Sequence, residues 1–200
     1  MIAPRYPLSP AHPFPAGLNA ALDTWAWMHE HADEFGEPFA IGGESAGGGL
    51  AAAACQRLYD EHGLQPRAQW LFCPMLDDRP TADRRRDIPR DRPVANNEQT
   101  RFAWTSYLGQ APGKEHVPEY AVPARRVDLS GLPPAWLSTG DVELFYEEIC
   151  SYARRLREAG VPAQLEIVEG APHAIELWAF DIDVVKQMLA SARAWLGDQL

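Results

Sequence analysis

Residues 38–49 read Pro38-Phe-Ala-Ile-Gly-Gly-Glu-Ser-Ala-Gly-Gly-Gly49, and this segment indicates the architecture of the chain. A short apolar run ends in glycines and is followed by small residues in a helical pattern, which predicts a strand, a sharp turn and a helix. A serine at such a turn needs a strained backbone and very small neighbours, which hold its hydroxyl above the sheet. Ser45 is therefore predicted to be a nucleophile, rather than part of a glycine-rich turn without chemistry. The elbow around it comprises Gly43, Glu44, Ala46 and Gly47, and Gly42, Gly48 and Gly49 supply further small positions.

Outward from this elbow, the apolar pattern alternates between strands and helices. This order predicts an α/β fold with a mostly parallel sheet and helices on both faces. Two hundred residues with 46% hydrophobic content fit a single domain over residues 1–200. In the last helix, Leu177, Phe180, Val184, Met188 and Leu189 are expected to face inward. Strands are predicted at residues 38–43, 68–73, 134–139 and 164–168, and helices at 18–35, 46–63, 98–108, 144–159 and 175–196.

Composition narrows the classes of partner. A formal net charge of -10 disfavours both nucleic acid and anionic membranes, since neither would be attracted to the surface. No apolar leader and no membrane-length apolar run is present, so we expect a cytoplasmic protein. The three cysteines, Cys55, Cys73 and Cys150, show no C-x-x-C spacing, which predicts core thiols in a reducing compartment.

A serine hydroxyl needs a neighbouring imidazole to accept its proton. His173 is the candidate because it follows the last predicted strand, whose carboxyl end should lie on the same rim as Ser45. An acid must orient this imidazole, and Asp141 and Glu143 follow the strand before. Capping of the next helix is the alternative role for both acids. The remaining histidines are expected at the surface: His12, His29, His31, His62 and His116.

Several segments carry a resemblance to a known family: Tyr6-Pro-Leu-Ser-Pro-Ala-His-Pro-Phe-Pro-Ala16, Gly43-Glu-Ser-Ala-Gly-Gly48, Pro74-Met-Leu-Asp-Asp-Arg79 and Gly170-Ala-Pro-His173. The chain resembles the hormone-sensitive-lipase-like (bacterial group IV) esterases of the α/β-hydrolase superfamily. The family's acid is the first residue of an Asp-Leu-Phe type run, which aligns with Glu143-Leu-Phe-Tyr-Glu-Glu148. The resemblance therefore favours Glu143 as the acid and keeps Asp141 as the alternative.

The resemblance implies an α/β-hydrolase fold and a serine carboxylesterase, a lipase-like hydrolase of short-chain acyl esters, with a Ser45-His173-Glu143 catalytic triad. Ala46 N–H would donate to the oxyanion, and residues 79–117 would border the pocket. No metal and no organic cofactor is needed. A small ester is the expected partner, and a homodimer is left open. The rival interpretations are a non-catalytic small-molecule-binding protein of the same fold and an inactive remnant.

The sequence departs from the family's pattern at its front, because no His-Gly-Gly-Gly motif precedes the Tyr6 segment. This predicts an N-terminally truncated domain that lacks N-terminal strands, the cap and part of the oxyanion hole, with impaired activity. Residues 1–6 are expected to form a strand. That strand would then pair beside the nucleophile strand, or the nucleophile strand would become an exposed edge.

Overall fold

A computed structural model describes residues 1–87 and 94–200 of this chain. Within them lies a sheet of four parallel strands, in the spatial order β1-β2-β3-β4. The strands are β1 (Ile41–Glu44), β2 (Gln69–Phe72), β3 (Ala135–Gly140) and β4 (Ala163–Val168). The helices are α1 (Ala16–Glu30), α2 (Ala32–Phe35), α3 (Ala46–Asp60), α4 (Arg79–Ala82), α5 (Asn97–Leu108), α6 (Tyr146–Glu158), α7 (Ile175–Trp178) and α8 (Asp183–Gly197).

Helices cover both faces of this sheet, as the alternating order predicts. Alternate residues of a strand point to opposite faces, so Leu71 and Leu137 pack with α3 and α6. Phe72 and Trp136 pack on the other face against Val185, Met188 and Ala192 of α8. The strand ends that carry Ser45, Glu143 and His173 therefore meet at one rim above a core buried on both sides.

The front of the chain departs from the expectation. Residues 1–8 form no strand, so the prediction for residues 1–6 is wrong, and β1 is the edge of the sheet that the described residues form. Pro4 and Pro7 lack the N–H that a ladder requires. Tyr6 instead packs beside Leu18 and Leu50 of the helical layer. Of the two expectations for the sheet, the exposed-edge arrangement is the one observed.

Two long predicted helices are broken. The helix predicted over residues 18–35 ends at Glu30 and resumes at Ala32, with His31 outside helical geometry (φ -114°). The helix predicted over 175–196 is interrupted between α7 and α8. The residues of α8 that face the core are Val185, Met188 and Ala192. Of the five residues predicted to face inward, Met188 is buried and Leu189 is partly buried, as predicted. The inward placement of three residues is wrong, since they are largely exposed: Leu177, Phe180 and Val184.

Predictions for the cysteines and for the segment at residues 79–117 can also be compared with the structure. Cys55 and Cys73 are buried, but Cys150 is only half-buried, so its placement as a core thiol is wrong. Residues 88–93, inside the segment expected to border the pocket, lie outside the described part of the chain. Among the described residues, no helix combines the length and the apolar character needed to cross a bilayer.

Candidate active site

Ser45 occupies the turn between β1 and α3, with backbone angles φ 53° and ψ -119°. A positive φ is uncommon for a residue with a Cβ, costs about 1–3 kcal/mol, and persists only where the surrounding structure enforces it. Two backbone hydrogen bonds do so: Ser45 N–H donates to Phe72 O at 2.9 Å, and Met75 N–H donates to Ser45 O at 2.9 Å. The nucleophile candidate is thus tied to the end of β2 and the loop after it.

At most positions of the elbow a glycine is required, because the neighbouring backbone approaches too closely for a Cβ. A Cβ on Gly43 would lie 2.3 Å from Gly47 O, and one on Gly49 would lie 2.3 Å from Met75 O. Gly42 and Gly48 are similarly crowded, by Trp70 and Pro74. Gly47 is the exception, because nothing lies within 4 Å of a Cβ there. The expectation that Gly47 must be small for packing is therefore wrong.

A continuous hydrogen-bonded chain joins the three side chains named from the sequence. His173 Nε2 lies 2.9 Å from Ser45 Oγ, and His173 Nδ1 lies 2.9 Å from both carboxylate oxygens of Glu143. Glu143 and His173 are buried, with exposed fractions of 4% and 7%, while Ser45 is half-buried. Phe145 packs edge-on against the imidazole at 5.2 Å between ring centroids and limits its rotation. Such a serine-imidazole-carboxylate chain can move a proton from the hydroxyl to Nε2.

The two candidate acids play different structural parts. Glu143 contacts the imidazole and also accepts a hydrogen bond from Phe145 N–H at 3.1 Å. Asp141 is exposed and accepts from Gly170 N–H at 2.6 Å, which ties the loop carrying His173 to the end of β3. The structure therefore places Glu143, and not Asp141, beside His173. Glu143 accepts from the amide of Phe145, the N-cap residue of α6, so it combines a role at this helix N-terminus with its contact to His173, whereas Asp141 is bonded to Gly170.

Three further titratable groups lie around the imidazole: Glu44 of the predicted elbow, Cys73, predicted only as a core thiol, and Glu176, which has no predicted role. Cys73 Sγ is 3.9 Å from Glu176 Oε1, and Glu44 belongs to the same cluster. Burial raises the pKa of Glu176 and of Glu44, and for Glu44 the charge of Glu176 adds to the effect. Burial, followed by the charges of Glu176, Glu143 and Glu44, holds the pKa of the Cys73 thiol well above its ordinary value. The signal that could have identified them is their place in the chain: Glu44 ends β1, Cys73 directly follows β2, and Glu176 lies three residues after His173.

A second unassigned carboxyl supports the loop that packs on the elbow. Glu148 is buried in α6 and accepts from Leu76 N–H at 2.8 Å and Asp77 N–H at 3.1 Å. Burial raises its pKa well above the ordinary value, although the two backbone hydrogen bonds act in the opposite direction. Residues 74–77 are thereby held against Gly48 and Gly49 of α3.

A cavity of about 260 Å³ opens beside the nucleophile turn. Ala46, the residue after Ser45, lines it and lies at the first position of α3, where the amide has no partner within the helix. The expectation that residues 79–117 border a pocket is met by α5, through Phe102, Trp104 and Tyr107. His12 is exposed as expected, and it also lines the cavity, a placement that the sequence did not indicate.

A family model described as the alpha/beta hydrolase fold matches residues 1–177 of the chain. The chain belongs to the α/β-hydrolase family. An esterase from the bacterial hormone-sensitive lipase family shares the fold, with a TM-score of 0.83 and 29% identity, covering 98% of this chain and 64% of that one. Both the expected fold and the resemblance to this branch are confirmed.

Relatives of this α/β-hydrolase chain carry the names of ester hydrolases. It is 34% identical over 177 residues to the carboxylic ester hydrolase LipN of Mycobacterium tuberculosis, covering 84% of this chain and 46% of LipN. The structure of esterase LipW from Mycobacterium marinum matches with a TM-score of 0.87 and 34% identity, covering 97% of this chain and 61% of LipW. The chain thus spans about half the length of the curated relatives it matches.

Proposed function

We propose that this chain carries the nucleophile, base and acid of a serine carboxylesterase, and that its substrates are short-chain acyl esters. The observation that carries the proposal is the hydrogen-bonded chain from Ser45 Oγ through His173 to Glu143, with all three contacts at 2.9 Å. The same constellation recurs in acyl-transfer enzymes on unrelated folds, where geometry rather than chain order defines the roles. The names of the relatives, which are ester hydrolases, support the same reaction class.

The geometry supports a two-step reaction. Ser45 Oγ attacks the ester carbonyl while His173 Nε2 takes its proton, and the imidazolium then gives that proton to the departing alkoxide. Water attacks the acyl-enzyme by the same route in reverse and releases the acid. Glu143 accepts from Nδ1–H, which fixes the tautomer that leaves Nε2 free to act as base. Ala46 N–H, at the start of α3, is placed to donate to the oxyanion beside Ser45.

The cavity supports the substrate class through its position beside Ala46, although Ser45 and His173 are not among its lining residues. Its lining includes Leu50, Met75, Phe102 and Trp104, which offer an apolar surface to an acyl group. At about 260 Å³ it is below the usual 300–1,000 Å³ of pockets for drug-sized ligands. A small, uncharged acyl ester matches both properties better than a long-chain or ionic one.

Turnover of p-nitrophenyl acetate and butyrate by the chain and by Ser45→Ala tests the reaction. We expect Ser45→Ala to lose at least about 10³-fold in kcat, as removal of a serine nucleophile does elsewhere. Ser130→Ala, which changes a serine in the turn before β3, is the matched control and should retain the original rate. Equal rates for the chain and Ser45→Ala would refute the proposed esterase.

A further inference from the structure

Cys73 lies directly after β2, beneath the imidazole, and has no part in the proposed reaction. Its side chain is buried (3% exposed), and its backbone has a positive φ of 33°. Cys73 N–H donates to Ser138 O at 3.0 Å, which fixes the residue against the end of β3. The thiol is therefore held in one place at the rim of the sheet.

The thiol belongs to two sets of potential metal ligands. Sγ of Cys73, a ring nitrogen of His173 and a carboxylate oxygen of Glu143 all lie within 4.8 Å of one another. The same sulfur lies within 4.8 Å of carboxylate oxygens of Glu44 and Glu176. A tetrahedral zinc with Zn–N of about 2.0 Å and Zn–S of about 2.3 Å separates its ligand atoms by roughly 3.3–3.8 Å. The ligand atoms of Cys73, Glu143 and His173 must therefore approach one another by at most about 1–1.5 Å to reach zinc geometry. Small changes in side-chain rotamers can supply this movement.

Charge at the site favours a divalent cation. Carboxylate oxygens of Glu44, Glu143 and Glu176 lie within 4.8 Å of the thiol sulfur. Carboxylates at this distance stabilise a cation, and coordination to a divalent ion deprotonates a thiol. Thiolate and imidazole select borderline or soft ions such as Zn²⁺ over hard ions such as Mg²⁺.

We propose that Cys73, Glu143 and His173 form a binding site for Zn²⁺ or a similar thiophilic divalent cation, and that the bound ion inhibits the enzyme. On binding, the thiol proton leaves to solvent, and bonds form from the metal to the cysteine sulfur, an imidazole nitrogen and a carboxylate oxygen. Solvent occupies the fourth position, because Glu176 contacts Cys73 Sγ at 3.9 Å but does not belong to the set that holds Glu143 and His173.

Inhibition follows from the hydrogen bonds that the metal must replace, and this part rests on the proposed esterase function. His173 uses Nε2 to contact Ser45 and Nδ1 to contact Glu143. A metal on Nε2 removes the base from the nucleophile. A metal on Nδ1 requires the Nδ1 proton to move to Nε2, where it faces Ser45, and it displaces the carboxylate that orients the ring. Either way the proton path from Ser45 is interrupted.

Two measurements test the site, one with activity and one without. In the first, Zn²⁺ is titrated into p-nitrophenyl acetate assays of the chain, Cys73→Ser and Cys150→Ser, each scored against its own metal-free rate. Loss of an outer-shell partner costs about 10–100-fold in metal affinity, so loss of the sulfur ligand should raise the half-inhibitory Zn²⁺ concentration at least about 100-fold. Cys150→Ser, which changes a half-buried thiol of α6, should leave that concentration unchanged. Mg²⁺ at the same concentrations should not inhibit.

The second measurement detects the metal directly. Co²⁺ added to the chain should produce thiolate-to-cobalt charge-transfer absorption with a stoichiometry of one, and this band should be absent in Cys73→Ser and present in Cys150→Ser and Ser45→Ala. Absence of the band in the parent chain, or equal Zn²⁺ sensitivity of Cys73→Ser, overturns the proposed site. A chain that binds Co²⁺ through Cys73 yet hydrolyses no ester retains the metal site and refutes the esterase, so the two failures are distinguishable.

Discussion

Two regions deliver the reacting groups to the same rim of the sheet, and they are held there by different means. The elbow at residues 43–49 is fixed by backbone contacts, with Gly43 and Gly49 each leaving no room for a Cβ. The loop that carries His173 also has one close backbone approach, since a Cβ on Gly140 would lie 1.7 Å from Ala171 O, but it is held in addition by carboxylates from the neighbouring segment. Asp141 accepts from Gly170 N–H, and Glu143 accepts from the imidazole itself.

Because the two regions are held differently, substitutions in them should have different consequences. A steric constraint fails when any atom is added, and its loss costs stability of the whole elbow. A carboxylate constraint fails when its charge or acceptor is removed, and its loss alters the reacting imidazole with little cost to packing. Substitutions in the elbow should therefore act on unfolding, and substitutions of the acids should act on the reaction.

The largest effect is expected from Glu143→Gln. The amide keeps the size of the side chain but can present an N–H to Nδ1, which would favour the tautomer with its proton on Nε2, facing Ser45. Loss of the carboxylate in an analogous triad costs about 10⁴-fold in kcat, and we expect a loss of about 10²–10⁴-fold here. Steady-state kinetics with p-nitrophenyl butyrate, with thermal unfolding recorded alongside, separates this effect from misfolding.

The matched control is Asp141→Asn, on the neighbouring carboxylate that the structure assigns to Gly170. Its amide oxygen still accepts the Gly170 N–H, so kcat should fall less than about tenfold. A larger loss from Asp141→Asn than from Glu143→Gln would show that the acids have exchanged roles.

The next largest effect is expected on stability, from Gly49→Ala compared with Gly47→Ala. The added methyl at residue 49 meets Met75 O at 2.3 Å, and overpacking of this kind costs about 1–3 kcal/mol. At residue 47 the methyl enters open space within a helix, which should stabilise by roughly 0.4–1 kcal/mol. Denaturant unfolding measures both. Equal free energies of unfolding for the two variants would contradict the steric account of the elbow.

The same contrast explains how far the sequence could predict the molecule. The elbow at Ser45 is a local motif whose glycines and flanking periodicity are visible in one stretch, so the order of strand, turn and helix is predicted correctly. The bounds differ, because the strand covers residues 41–44 rather than 38–43 and the helix ends at Asp60. The positions of His173 and Glu143 followed from a general rule, that parallel strands end at one rim. The choice between Glu143 and Asp141 rested on the family's motif, because both acids follow the same strand.

What the sequence could not predict depends on neighbours distant along the chain. A strand at residues 1–6 requires a partner strand beside it, and no pattern within those residues reveals whether one is present. The break after Trp178 leaves the apolar residues Leu177 and Phe180 exposed, against their periodicity. Cys73 and Glu176 approach each other across about a hundred residues, a contact that only the folded sheet creates.

The smallest effect concerns the support of the elbow by Glu148. Its raised pKa means that the folded state binds this proton more tightly than the unfolded state does, so its contribution to stability is full below the ordinary value near 4.5 and declines as pH rises toward the folded value. Glu44 and Glu176, whose pKa values are also raised, act in the same direction. Glu148→Gln should remove only the contribution of Glu148 to this pH dependence. The free energy of unfolding of the variant should therefore fall less steeply with rising pH than that of the parent chain.

Denaturant unfolding of the chain and of Glu148→Gln, measured from pH 4.5 to pH 8, tests this expectation. The amide oxygen of the variant can still accept from Leu76 N–H and Asp77 N–H, so the loop at residues 74–77 should keep its place against Gly49. Parallel pH profiles would show that Glu148 is not the group whose proton is retained on folding. Glu148 would then be ionised in the folded state and would hold residues 74–77 as a charged acceptor of the Leu76 and Asp77 amide hydrogen bonds.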